Sequence, residues 1–248
     1  MTARLAKIVC SLAAVAVTSA CGTYSEIAIE TPIRATMDVS GFQRVFVAGF
    51  ISGGTDDVDG NLETTRLLRS QLRTKSSLRV IDADSLPLQD VAAEGRSSEQ
   101  APPAAVKDEK DLDAYSNLFA NVEYWKKIGE EYQQPLIVTG TVLFTPHQRN
   151  SIVQREEEVY DSFGRRRVVP VRTYQERKGF ILSPKFIFID GRTGTVMHST
   201  TAREEILYNA NQATPALSSY FELMDRVIPS FLSTLSSQKI KGTRILLQ

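Results

Sequence analysis

The sequence predicts an α/β (α+β) fold: a mixed β-sheet of about five to seven strands packed by three helices, with a β-hairpin projecting from it. Three observations predict it. Short β-rich apolar runs alternate with helical periods through residues 44–144. From residue 136 to residue 203 the pattern is strand-like almost throughout, before a last amphipathic helix. Two charged strand-like segments, 151–160 and 166–174, flank the turn Asp161-Ser162-Phe163-Gly164.

Arg44-Val45-Phe46-Val47-Ala48-Gly49-Phe50 has the short, continuous apolar character of a buried strand, and Gly53-Gly54-Thr55-Asp56-Asp57 breaks it. Asp59 or Asn61 can cap a helix over residues 62–75, with Leu62, Leu67, Leu68 and Leu72 as its apolar face. Residues 78–81 form a second strand. Residues 84–113 carry Pro87, Pro102 and Pro103 with the charge cluster Lys107-Asp108-Glu109-Lys110-Asp111, the composition of a flexible insertion loop. Tyr115, Leu118, Phe119, Val122, Trp125, Ile128 and Tyr132 then recur at three-to-four spacing and predict a single helix.

Residues 136–144 are apolar on both alternating faces, as in a strand covered on both sides. The hairpin follows. Residues 185–189 make a further strand, Asp190-Gly191-Arg192-Thr193-Gly194 a turn with two glycines available for positive φ, and residues 195–203 the return strand. Pro215 opens the last helix, whose face is Leu217, Phe221, Met224, Ile228, Leu232 and Leu235. Residues 244–247 are read as a terminal strand closing the sheet.

The N-terminus has the order of a secretory signal: basic Arg4 and Lys7, an apolar stretch over residues 8–17, then small Thr18-Ser19-Ala20. There are two cysteines, Cys10 and Cys21, and Cys10 lies within the signal. Cleavage before Cys21 leaves that thiol without a partner for an intrachain disulfide. Val17-Thr18-Ser19-Ala20-Cys21-Gly22 resembles the bacterial lipobox, although a branched aliphatic residue usually stands where Thr18 does. The resemblance implies lipid on Cys21 and attachment to a membrane. Gly22 rather than Asp after the cysteine resembles the outer-membrane sorting signal, so the expected place is the outer membrane, facing the periplasm. The expected organisation is a signal peptide at 1–20, a lipidated N-terminus and tether at 21–41, and one domain over 42–248 with the 84–113 insertion.

Charge and motifs narrow the function. Lys plus Arg number 29 and Asp plus Glu number 29, so the basic excess of a nucleic-acid binder is lacking. Ser52 before Gly53-Gly54 is the nearest approach to a nucleophile elbow and lacks the leading glycine. Gly191-Arg192-Thr193-Gly194 stands between two strands, where a hairpin turn belongs, not between strand and helix as in a phosphate loop. His147 and His198 have no neighbouring Cys or His at metal-ligand spacing. Asp56, Asp57 and Asp59 resemble part of a calcium loop, but the twelfth position is Leu67 where a glutamate is needed. No catalytic residue, metal ligand or cofactor site is therefore predicted. Glu156-Glu157-Glu158 faces Arg165-Arg166-Arg167 across the turn, which favours cross-strand charge pairing on an exposed hairpin. Arg165, Arg166, Arg167 and Arg172 are the candidate partner-contact residues, a basic patch that can attract lipid headgroups, a polyanion or an acidic partner and whose field the neighbouring glutamates reduce.

Three segments together resemble a known fold superfamily. The opening strand, the helix at Leu62 and Leu78-Arg79-Val80-Ile81 resemble the β-α-β modules related to the TolB N-terminal domain and the curli-secretion lipoprotein CsgG, an anticodon-binding-domain-like topology. Gln134-Pro135-Leu136-Ile137-Val138-Thr139-Gly140-Thr141-Val142 fits that group's next strand, and Ile189-Asp190-Gly191-Arg192-Thr193-Gly194-Thr195-Val196 its later hairpin. The resemblance implies partner binding or ring assembly in the envelope and no catalytic residues. The insertion and the charged hairpin depart from it. The sequence thus predicts a non-enzymatic, membrane-anchored interaction module with envelope-protein partners. The alternatives are an assembly or secretion-complex subunit that forms a homo-oligomer, and a hydrolase with an unrecognised site.

Overall fold

In a computed structural model of the chain, the structure describes residues 24–93, 106–160, 162–209, 212 and 214–247. The expected signal at 1–20 and Cys21 lie outside the described residues, as do 94–105 of the expected insertion. The chain divides into two compact units, one of residues 35–236 and one that joins the two ends.

The larger unit is built on strand β2 (Arg44–Gly54) and helix α1 (Gly60–Lys75). After the two-residue strand β3 (Arg79–Val80) come four short helices, α2 (Leu88–Ala93), α3 (Glu109–Asp113), α4 (Ser116–Phe119) and α5 (Val122–Glu131). Strands β4 (Leu136–Tyr160) and β5 (Arg166–Asp190) follow, then β6 (Val196–Thr201), β7 (Glu204–Asn209) and helix α6 (Ala216–Leu235). The sheet runs β3-β2-β4-β5-β6, with β7 paired to β5 further along. β2 is parallel to β3 and β4, and the other pairings are antiparallel. This is the predicted mixed sheet with helices.

Alternation along β4 and β5 divides the core between two faces. Val138, Val142, Phe144, Phe186 and Phe188 point to the side covered by α1 and α6. Ile137, Leu143, Ile187 and Ile189 point to the side covered by Leu88, Leu118, Phe119, Trp125 and Ile128 of the short helices. All of residues 136–144 are buried, as the doubled apolar pattern predicts. Tyr220 ties the α1–α6 layer together: its hydroxyl donates to the Gly60 carbonyl at 3.1 Å and shares a hydrogen bond with Thr64 Oγ1.

Several elements differ from the sequence expectation. Asp59 caps α1, accepting from the Leu62 N–H at 2.9 Å, while Leu62 itself is exposed. At roughly 100° per residue Leu62 lies about a quarter-turn away from Leu68 and Leu72, and Thr64 and Thr65 fill the buried face instead. The helix expected over 115–132 is split, because the Asn121 side chain accepts from the Tyr124 N–H at 3.1 Å and starts a new helix. The described ends of the expected loop at 84–113 are ordered: Leu88, Ala92, Val106 and Leu112 are buried in the second core layer. At the β5–β6 turn only Gly194 has positive φ, at 74°. β7 was not anticipated.

In the smaller unit, β1 (Tyr24–Ile33) pairs antiparallel with β8 (Gln238–Leu247), from Tyr24↔Leu247 to Ile33↔Gln238. Residues 24–33 thus form a ten-residue strand within the stretch read as a tether, longer than the short strand over 27–29 that its sequence allows. Residues 244–247 pair with β1 and do not close the main sheet. The β-branched alternation of Ile27, Ile29 and Thr31 suits a strand.

Candidate functional site

A β-bulge between Val47 and Gly49, with Gly49 at φ 120°, shifts the β2–β4 register by one residue. The shift turns the Phe50 N–H to the Asn61 side chain, which accepts it at 2.8 Å and holds the start of α1 against the strand. The C-terminal end of β2 then opens on a cleft of about 530 Å³. Open α/β sheets generally place ligands at such strand ends.

The lining is polar and acidic. Asp56, Asp59 and Asp90 border it with Lys107 and Ser52. Asp59 is committed to the helix cap, and Asp57 to Thr55, whose hydroxyl donates to it at 3.0 Å. Among the described residues no three acids, histidines or cysteines come together as a metal would require. Ser52 lines the cleft, but neither histidine does. His147 pairs with Glu205 at 3.3 Å, and His198 packs by Phe188.

The second candidate is the hairpin. β4 and β5 pair without a register shift from Leu136↔Asp190 to Tyr160↔Arg166. β2 accompanies β4 only as far as Phe144, and β7 accompanies β5 only back to Arg177. Among the described residues, 150–160 and 166–176 therefore pair only with each other, an arm of about 35 Å at the usual strand rise.

Alternation assigns its side chains to faces. One face carries Ile152 opposite Tyr174, Gln154 opposite Arg172, Glu156 opposite Pro170, Glu158 opposite Val168 and Tyr160 opposite Arg166. The other carries Arg155 opposite Val171, Glu157 opposite Val169 and Val159 opposite Arg167. Glu158 and Arg166 form a diagonal ion pair, the cross-strand pairing the sequence predicts. The Arg165 guanidinium lies 5.3 Å from the Phe163 ring centroid.

The structure gathers Arg165, Arg166 and Arg167 at the tip. It sets Arg172 about 20 Å down the arm, six residues from Arg166, so the four do not make one patch. Sequence reasoning missed the apolar surface between these charges. Ile152 is 72% exposed, Tyr174 65%, Tyr160 67% and Phe163 81%. The signal was present: β-branched and aromatic residues interleave with charges on both alternating faces, so neither face has a wholly polar side to give to water.

The comparisons define no family. No family model matches the chain, and no curated protein matches it. Solved structures similar to it include the lipoprotein GNA1162 from Neisseria meningitidis, at 14% identity and a TM-score of 0.35, covering 76% of this chain and 96% of that one. A PelC dodecamer from Paraburkholderia phytofirmans aligns at 14% identity and a TM-score of 0.36, covering 88% and 99%. A neuraminyllactose-binding hemagglutinin homolog from Helicobacter pylori aligns at 10% identity and a TM-score of 0.39, covering 82% and 87%. All three scores lie below 0.5.

Proposed function

We propose that this chain is a non-enzymatic, lipid-anchored interaction protein of the bacterial cell envelope, held to the outer membrane through Cys21, with its hairpin arms as the contact surface for an envelope protein. The observation that carries the reading is the two-stranded arm with exposed Ile152 and Tyr174 side by side and no third strand beside either edge among the described residues. Unpaired edges of this length are templates for strand addition, and an apolar pair beside them supplies contact area. The acidic cleft supports a catalytic reading less well, because neither histidine borders Ser52. A photo-crosslinking residue at Ile152 or Tyr174 should capture one envelope protein in intact membranes, and the same probe at exposed Leu62 should not. Equal capture at all three positions would remove the hairpin from this role.

A specific observation favours a second reading, self-assembly. The distal β4 arm carries Glu156, Glu157 and Glu158, and the distal β5 arm carries Arg166, Arg167 and Arg172. The β4 edge of one copy would meet the β5 edge of the next with Arg166, Arg167 and Arg172 each two residues along from a glutamate on the same face, a diagonal charge pairing in a head-to-tail contact that forms rings or filaments. Under this reading, reversing the three glutamates to lysine reduces the mass measured in mild detergent, and reversing the three arginines in the same chain restores it. A monomer in both wild type and double-reversed chain would sink it.

A further inference from the structure

We infer that the hairpin tip is a membrane-interface anchor for an anionic lipid surface, separate from the protein-contacting arms below it. Phe163 is 81% exposed, more than any other large hydrophobic side chain among the described residues, and it stands in the turn itself. Tyr160 beside it is 67% exposed. Three consecutive arginines follow, Arg165, Arg166 and Arg167; Arg166 is paired with Glu158, and Asp161 is the one acid between Val159 and Arg167 in the sequence. An aromatic ring at the apex with guanidinium groups behind it suits the headgroup region: the ring enters the acyl boundary, and lipid phosphates exchange for the present contacts of Arg165 with Phe163 and of Arg166 with Glu158.

Shape favours lipid over protein at this point. A specific protein interface buries about 800 Å² on each partner, which needs a broad or concave surface. A two-stranded arm ending in a tight turn, with Gly164 at φ 72° and open space where a Cβ would stand, is narrow and convex. A bilayer closes around such a point from all sides.

The residues behind the tip limit how deep it can go. Glu158 lies two residues below Tyr160, about 7 Å at the strand rise, with Glu157 and Glu156 next. A carboxylate driven into acyl chains or against anionic headgroups opposes further entry, and a spanning strand would need about 9–11 residues with an apolar outer face. The tip therefore enters to the interface and stops. The inference does not depend on lipid at Cys21, since the tip is to act through its own side chains.

Phe163→Trp in the full chain carrying Cys21→Ser reads the tip directly, because the native Trp125 is fully buried and its emission is insensitive to the surface. Emission of the introduced indole should shift to the blue on vesicles of phosphatidylglycerol and phosphatidylcholine, and stay unshifted on phosphatidylcholine alone. Replacing Arg165, Arg166 and Arg167 with glutamine should raise the lipid concentration at half-shift by at least about tenfold. No shift on the anionic vesicles would overturn the inference, as would a shift indifferent to the three arginines. A shift produced by delipidated envelope protein and not by vesicles would also overturn it, by giving the tip to a protein partner.

Discussion

At the residue scale, the turn between β5 and β6 shows how much depends on single polar groups. Asp190 is almost buried, and burial alone would push its carboxyl upward; hydrogen bonds from the Arg192 side chain and backbone, with the charge of that guanidinium, outweigh this and hold it below the usual carboxylate range. The side-chain bonds are 3.0 Å each, and the backbone N–H of Arg192 donates at 2.8 Å. Arg192 in turn lies 4.7 Å from the Phe42 ring centroid, so the turn is fastened to the segment leading into β2. A carboxyl depressed in the folded state stabilises that state above its unfolded pKa, about 3.9, and the contribution is lost as pH falls through the folded value. Wild type should therefore lose stability below about pH 4 with a steeper slope than Asp190→Asn, and the two melting curves should converge at the acid end. Urea titrations from pH 3 to 7 check it; parallel slopes would show that Arg192 gives the carboxylate nothing. The sequence identified this turn by its glycines and its aspartate. It did not disclose the Asp190–Arg192 pairing, because a two-residue spacing says nothing about whether a side chain curls back or reaches out.

At the scale of elements, what was legible depended on whether local pattern and tertiary burial agreed. β2, β4 and the last helix were legible because continuous apolar runs and a clear helical period need no distant information. The split at Asn121 was not. The periodicity carries on across it, while the cap bond to Tyr124 and the bond from the Trp125 indole to the Leu118 carbonyl, 2.9 Å, fix a corner that only packing reveals. β7 escaped notice because its partner, the Arg177–Leu182 stretch of β5, lies over twenty residues away in sequence. For the candidate site, the arginines and glutamates were legible as charges, whereas the exposed Ile152 and Tyr174 required knowing that no layer of the described residues covers the arm. That lack of cover has an energetic consequence. Both core layers are built from residues on or below the level of Gln148 and Lys178, which face each other directly. Replacing residues 149–177 with Asn-Gly joins those two positions by a turn whose twist matches the strands. The shortened chain should melt within about 3 °C of wild type, since surface changes away from the core fall within about 0.5 kcal/mol. It should also lose crosslinking to a partner. A large drop in calorimetric melting temperature would mean the hairpin is part of the folding unit and not an appendage.

At the scale of the molecule, the proposed membrane attachment has two sources. Formal net charge is zero, and among the described residues no helix is long and apolar enough to cross a bilayer. The two devices proposed above would respond differently to salt. Acyl chains on Cys21 would hold by burying methylene groups, at about 0.8 kcal/mol each, which salt does not weaken. The arginine tip holds by charge and a shallow ring, and its reach contracts as the screening length falls from about 10 Å at 0.1 M salt to about 3 Å at 1 M. Wild type should stay in the membrane pellet at both salt concentrations. Cys21→Ser should be partly retained at low salt and released at 1 M, with the same melting temperature as the wild-type fold. Cys21→Ser combined with glutamine at Arg165, Arg166 and Arg167 should be soluble throughout. Sedimentation of the three chains, followed by intact-mass measurement of the pelleted wild type, separates the devices: retention of the single variant at 1 M salt would remove lipid on Cys21 as the anchor, and its full release at low salt would remove the tip.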